Sequence, residues 1–218
     1  MGGRATPVLI RAARREDAQF LALVILTATR SHVAKGWFEV ALNRSESECL
    51  GFLRGLTSAT TRSPWHYSGF LIADTATGPV AALCAARAAD IYKTASLAIR
   101  EALKNYGFAA AHRAAFWNRA APWLTCALRP DNACLAIENV AALPNFRQQG
   151  YTAALLDRAF AEGRAQGLNE AQVTCLIGNV SAERAYLRAG LRLVSEWHDL
   201  GFEAVTGAPG MRKFARSL

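Results

Sequence analysis

The chain is short of the features that would assign it quickly, and each shortage excludes something. Its longest apolar run, around Phe20 to Thr29, is too short to span a bilayer. The first residues do not show a basic-then-apolar leader pattern, so no membrane partner and a cytoplasmic location are expected. Without a secretory signal, the glycosylation sequons at Asn43-Arg44-Ser45 and Asn179-Val180-Ser181 carry no weight. The five cysteines, Cys49, Cys84, Cys126, Cys134 and Cys175, are odd in number, widely spaced and free of any Cys-x-x-Cys, as reduced and mostly buried thiols would be. His32, His112 and His198 have no partner spacing for a metal, and no metal site is expected. There is no Gly-x-Ser-x-Gly, no Walker loop and no paired-carboxylate hydrolase pattern. Low-complexity tracts and internal repeats are absent as well.

Charge is the one bulk property that leans. The 218 residues carry a formal net charge of +8, which favours anionic partners such as nucleotide cofactors or nucleic acid. The basic residues are mostly Arg and scattered, with no Lys/Arg block and no aromatic–basic interleaving. A nucleic-acid-binding protein therefore rests on net charge alone, and no nucleic-acid partner is expected. The 52% apolar content is enough to build the core of one large domain.

Hydrophobic patterning then orders the chain. Val8 to Arg11 reads as a strand, and Arg14-Arg15-Glu16-Asp17 opens a helix through Ile25 with acids in its first turn. Trp37 to Leu53 predicts a second amphipathic helix. Ser68 to Asp74 and Pro79 to Ala86, joined by Thr75-Ala76-Thr77-Gly78, predict a hairpin. Asp90 to about Ala121 is helical in period, divided near Asn105-Tyr106-Gly107; Pro122 is expected to end it, with Trp123 to Leu128 extended. A strand from Cys134 to Ala141, a helix from Gly150 to Gln166, a strand from Ala171 to Ile177, a helix opening at Asn179 and a strand from Leu191 to His198 follow. The order predicts an α/β chain with a mixed sheet: a single domain over residues 1–218 with a helical insertion at about 90–128.

The stretch from Leu135 to Gln166 is where spacing, charge and local structure agree on one chemistry. Arg147-Gln148-Gln149-Gly150-Tyr151-Thr152-Ala153 follows a strand and opens a helix. Gly150 lets a backbone approach closely, and the first helical turn offers free N–H groups at the positive end of the dipole, which together suit a pyrophosphate. A plain strand–turn–helix connection is the alternative. One strand downstream, Asn179 reads as a helix N-cap with Tyr186 two turns in, and Ala189-Gly190-Leu191 closes that helix.

Together the two segments resemble the GNAT superfamily of N-acetyltransferases, whose motifs run Arg/Gln-x-x-Gly-x-Gly/Ala and then Asn followed by Ala-x-x-x-Tyr-x-x-x-Gly. The likeness covers roughly Leu135 to Val194, with a weaker echo from Val8 to Ile25, and departs where Thr152 stands in place of Gly or Ala. The resemblance implies a splayed, mostly antiparallel sheet flanked by helices, with acetyl-CoA as the acyl donor. It implies that Val140, Ala141 and Ala142 pair with the pantetheine arm. It further implies that Arg147, Gln148, Gln149, Gly150, Tyr151, Thr152 and Ala153 form the pyrophosphate loop, that Asn179 lies on the CoA side, and that Tyr186 protonates the leaving thiolate. A core tyrosine with a satisfied hydroxyl is the other reading of Tyr186. Glu138, just before the cofactor-contacting positions, is the general-base candidate, directly or through water; a partner for Arg is its alternative.

These expectations add up to an acetyl-CoA-dependent N-acetyltransferase acting by direct transfer in a ternary complex, as a monomer or homodimer. A CoA-binding module without catalysis is the main competitor. The acceptor is a small-molecule or peptide amine, and net positive charge argues against a polycationic one. His66, just before the hairpin, is read as a half-exposed structural histidine, with a place in the wall of the acceptor pocket as the alternative. Phe116, Trp117 and Trp123 are read as packing the inserted helices onto the sheet, with a wall of the acceptor pocket as the alternative.

Overall fold

The period-2 patterning of the hairpin sets the layers. In a computed structural model that describes residues 8–218, β2 (Phe70–Thr75) sends Phe70 and Ile72 to one side of the sheet and Leu71 and Ala73 to the other. Its partner β3 (Gly78–Arg87) divides Ala82 and Cys84 from Ala81 and Leu83 in the same way. Both faces of the sheet are therefore apolar, and each is covered by helices. Residues 1–7, which include most of the segment read for a leader, lie outside the described residues.

Seven strands run in the order β1 (Leu9–Ala12), β2, β3, β4 (Leu135–Ala142), β5 (Glu170–Leu176), β7 (Gly210–Ser217), β6 (Arg192–His198). Every neighbouring pair is antiparallel except β4 and β5. That parallel pair joins only Leu135, Ala136 and Ile137 to Ala171, Gln172 and Val173. Beyond Ile137 the two strands part, which is the splay the resemblance implied, and the edge of β4 from Glu138 onward is left without a strand on that side.

One face carries α1 (Ala18–Arg30), α2 (Trp37–Leu42), α3 (Glu46–Thr57), α5 (Ala95–Asn105), α6 (Ala110–Cys126) and Phe202 of α9 (Leu200–Thr206). The other carries α7 (Tyr151–Ala165), which buries Leu155, Leu156, Ala159 and Phe160, and Tyr186 of α8 (Val180–Arg188). Full burial of a Leu or Phe side chain contributes roughly 1.5–3 kcal/mol, so the apolar stripe of α7 fixes the helix, and with it the loop before it. The short α4 (Ala88–Tyr92) lies at the end of β3.

The helical boundaries differ from expectation in two places. The segment from Trp37 to Leu53 is two helices, because Asn43 takes a left-handed φ of 50° and Ser45 opens a new one, accepting from the Glu48 N–H while Glu48 reaches back to its own. Pro122 does not end α6, which runs on to Cys126. The turn beyond it buries Cys126 and Trp123, whose ring packs edge-on against Phe202 at 5.3 Å. That burial offsets the cost of an interior proline, about 3 kcal/mol. Trp123 to Cys126 is accordingly helical rather than extended.

Candidate active site

The site grows from an irregularity in β4. The register with β3 steps from Ala82↔Ala141 to Cys84↔Glu138, so β4 holds one extra residue there. Asn139 absorbs it with a φ of 52°, and its side-chain amide donates to the carbonyl of Pro64 at 2.9 Å. The bulge re-aims Glu138 and Val140 and ties β4 to the loop that bears Trp65.

On the α7 side of the splay lies a cleft of about 1130 Å³ lined by Val140, Ala141, Ala142 and the turn into α7. Gln148 and Gly150 both take left-handed φ values, 61° and 85°. Among the described residues, the backbone N–H groups of Gln148 through Ala153 find no protein acceptor; the first such bond of α7 is Ala154 to Gly150, at 3.1 Å. A Cβ placed on Gly150 would point into open space. Unpaired donors at a helix N-terminus, with room above the glycine, fit a diphosphate. Arg147, Gln148, Gly150, Tyr151, Thr152 and Ala153 all line this cleft. Gln149 is turned back into its own loop, donating to Asn145 O at 2.9 Å and accepting from the Tyr151 hydroxyl at 3.3 Å. Its backbone N–H stays free for a ligand.

Across the bulge lies a second cavity, of about 290 Å³. Val140, Asn179, Ala182 and Tyr186 line both, so the two spaces meet at the splay. Tyr186 is 4% exposed, packs on Phe214 at 5.8 Å, and its hydroxyl has no hydrogen-bond partner among the described residues. Burial first, then the nearby Cys175 and Glu138, hold it far up as a phenol. Asn179 caps α8, accepting from the Ala182 N–H at 3.1 Å, and donates to Ser31 Oγ at 2.6 Å. It thereby joins α8 to the end of α1, where Ser31 stands at a φ of 56°.

Glu138 opens on the smaller cavity and is half-buried by surface area, yet the protein around it is dense enough to desolvate the carboxyl. Desolvation pushes its pKa up to about 7, while a hydrogen bond from the Tyr92 hydroxyl pulls the other way. Tyr92, the last residue of α4, is a site residue that sequence reading did not single out. It lies five residues beyond β3, the strand that pairs with Glu138, and carried no sequence signal of its own. Trp37, Trp65, Trp117 and Trp123 also line this cavity. Trp37 and Trp65 stack at 5.4 Å, and the buried indole N–H of Trp37 meets no acceptor among the described residues. Two of the three aromatic residues read from the insertion thus wall a cavity, while Phe116 belongs to the core. His66 does not line it; buried, it bonds Ser68 Oγ through Nδ1 at 2.8 Å.

A splayed seven-stranded sheet with a turn of unpaired N–H groups at the splay defines the class of protein: an α/β fold of the acetyltransferase kind. The family model described as Acetyltransferase (GNAT) family matches residues 106–191, which run from the end of α5 through α8. Over those residues, 86 of the 218, the chain is similar to that family. An acetyltransferase crystal structure aligns with a TM-score of 0.70 at 19% identity, covering 96% of this chain and 98% of that one. An N-acetyltransferase from Staphylococcus aureus Mu50 aligns at 0.67 and 14% identity, covering 95% and 100%. The polyamine N-acetyltransferase of Drosophila melanogaster, which forms N-acetylagmatine, aligns at 0.58 and 14% identity, covering 97% and 100%. At these identities the likeness is one of fold. No curated protein matches the chain in sequence.

Proposed function

We propose that the protein is an acetyl-CoA-dependent N-acetyltransferase that moves an acetyl group to a primary amine in a ternary complex. The observation that supports this most is the junction of the two cavities. A backbone cradle for a diphosphate opens, at Val140 and Tyr186, onto a pocket that holds a carboxylate of near-neutral pKa.

Each residue then has a physical task. The free N–H groups from Gln148 to Ala153, with Arg147, hold the pyrophosphate. The unpaired edge of β4 from Val140 to Ala142 offers backbone groups to the pantetheine arm and an N–H to the developing oxyanion. Bound acetyl-CoA would supply the thioester carbonyl as electrophile. Glu138 takes a proton from the incoming ammonium, a task that a pKa of about 7 suits at neutral pH. The amine nitrogen would bond to the carbonyl carbon as the carbon–sulfur bond breaks; the Tyr186 phenol would protonate the leaving thiolate, and the second proton shed by the nitrogen would return, through solvent, to the phenolate. The helices between β3 and β4 serve as one wall of the acceptor pocket rather than as a separate unit.

Isothermal titration with acetyl-CoA tests the reading most directly. Binding in the micromolar range is expected, followed by thioester consumption when a suitable amine is added. No heat at high micromolar acetyl-CoA would overturn it. Binding without consumption, over a broad panel of amines, would leave a CoA-binding module in its place.

A further inference from the structure

The acceptor pocket carries a charge pattern that narrows the amine. Of the residues that line it, only Glu138 is acidic and only Arg129 is basic. Arg129 is solvent-exposed and forms no ion pair among the described residues. Four of the five tryptophans of the chain line the same cavity, coming from α2, from the loop before β2 and from α6. An ammonium group is attracted both by one carboxylate and by indole faces, whereas the rest of such a molecule meets hydrocarbon and aromatic surface. A second ammonium would find no carboxylate on the wall and would be repelled by Arg129. The cavity is also small, at about 290 Å³, the lower end of what ligand pockets span.

We infer that, within the acetyltransferase reading on which this rests, the acceptor is a compact primary monoamine with one aromatic body, and that Trp117 and Arg129 select it over di- and polyamines. The carboxylate draws the single ammonium toward the splay, and the tryptophans clasp the ring behind it. Asn139 helps to assemble this arrangement, because the bulge that aims Glu138 also clamps the Trp65 loop through Pro64.

The test compares tryptamine and tyramine with agmatine and spermidine, by thioester consumption and, separately, by quenching of tryptophan fluorescence without acetyl-CoA. We expect kcat/KM at least tenfold higher for the two aromatic monoamines, and saturable quenching by them alone. Trp117→Leu should raise KM for tryptamine about tenfold and leave acetyl-CoA affinity within twofold. Arg129→Glu, at an exposed position, should narrow the gap to agmatine about tenfold. Equal or better turnover of agmatine or spermidine would overturn the inference while sustaining acetyl transfer. Failure of every amine to consume thioester would instead count against the acetyltransferase reading; in that event absent quenching by tryptamine would overturn the aromatic pocket, and saturable quenching lost in Trp117→Leu would support it.

Discussion

The two sides of β4 are built by opposite means. The cleft toward α7 takes one wall from a contiguous stretch, Val140 to Ala153, which offers a ligand mostly backbone, free N–H groups and an open glycine; the end of α1 and the residues of α8, Arg184 and Arg188 among them, close it on the other side. The pocket on the other side is assembled from side chains of separate segments: Trp37, Trp65, Tyr92, Trp117, Trp123 and Glu138. A phosphate asks only for donors at the right spacing, which a turn and a helix start supply whatever their side chains. An amine with a shaped body asks for particular surfaces, which only folding can bring together. Substitutions should therefore act through the backbone on the first side and through side-chain chemistry on the second.

The largest expected effect is on the side-chain half. Glu138→Gln removes the base, and turnover should fall about 10²- to 10⁴-fold, while acetyl-CoA affinity measured by calorimetry stays within about twofold. The groups that face Glu138 are the Tyr92 hydroxyl from α4, the Cys84 thiol from β3 and Tyr186 from α8; none is cationic. In the native protein kcat/KM should fall with decreasing pH through about 7, because protonation of the carboxyl abolishes the base. The variant should lose that limb. Equal losses in turnover and acetyl-CoA affinity would show that the two sides cannot be separated. Tyr186→Phe, at the junction, should lower turnover by about 10²-fold with a much smaller change in affinity.

On the backbone half, Gly150→Val should weaken acetyl-CoA by about 10- to 100-fold, or about 1.4–2.8 kcal/mol. A β-branched residue resists a φ of 85°, and its side chain would fill the space above the free N–H groups. Thr152→Ala keeps the backbone and should change affinity less than about threefold, under about half of the free energy of a tenfold step. If Thr152→Ala were the more damaging of the two, the cleft would be read by side chains after all.

The same division decides what the sequence made legible. The order β4, loop, α7, β5, α8 could be read because each element announces itself within about fifteen residues: an apolar run, Gly150, an amphipathic stripe, the Asn179 cap. Glu138 became a candidate through its place just before the cofactor-contacting positions, and Tyr186 through the resemblance. The tryptophan wall had no such signal. Trp37 and Trp117 are eighty residues apart in sequence, and nothing local distinguishes an aromatic side chain that packs a core from one that lines a cavity. Phe116 and Trp117 are adjacent, and one does each. Tyr92 was hidden for a related reason: its task comes from the antiparallel pairing of β3 with β4, which puts α4 beside Glu138. Pro122 misled because a local rule was outweighed by tertiary burial of Trp123 and Cys126.

Tyr92→Phe gives a subtler probe of the same region. The hydroxyl lowers the pKa of Glu138 by donating to its carboxylate, so its removal should move the acidic limb of kcat/KM to higher pH. Acetyl-CoA affinity should not change. A limb that stays in place, with only KM for the amine altered, would make Tyr92 a piece of wall rather than a positioning residue for the base.

The smallest effect lies where the two sides are joined. Asn179 caps α8 through its side-chain oxygen and holds Ser31 through its side-chain amide. Asn179→Ala loses both, and the lost cap costs about 1 kcal/mol, which lowers Tm by about 2–4 °C in a chain of this size. Asn179→Ser retains a capping oxygen but is too short to reach Ser31 as well, so its Tm should stay within about 1 °C of the native value. Ser31 lines both cavities and ends α1 in a left-handed conformation that needs holding. Releasing it should therefore raise KM for both substrates by a few-fold at unchanged Tm. A change confined to acetyl-CoA would place the Asn179–Ser31 bridge wholly on the backbone side of the comparison.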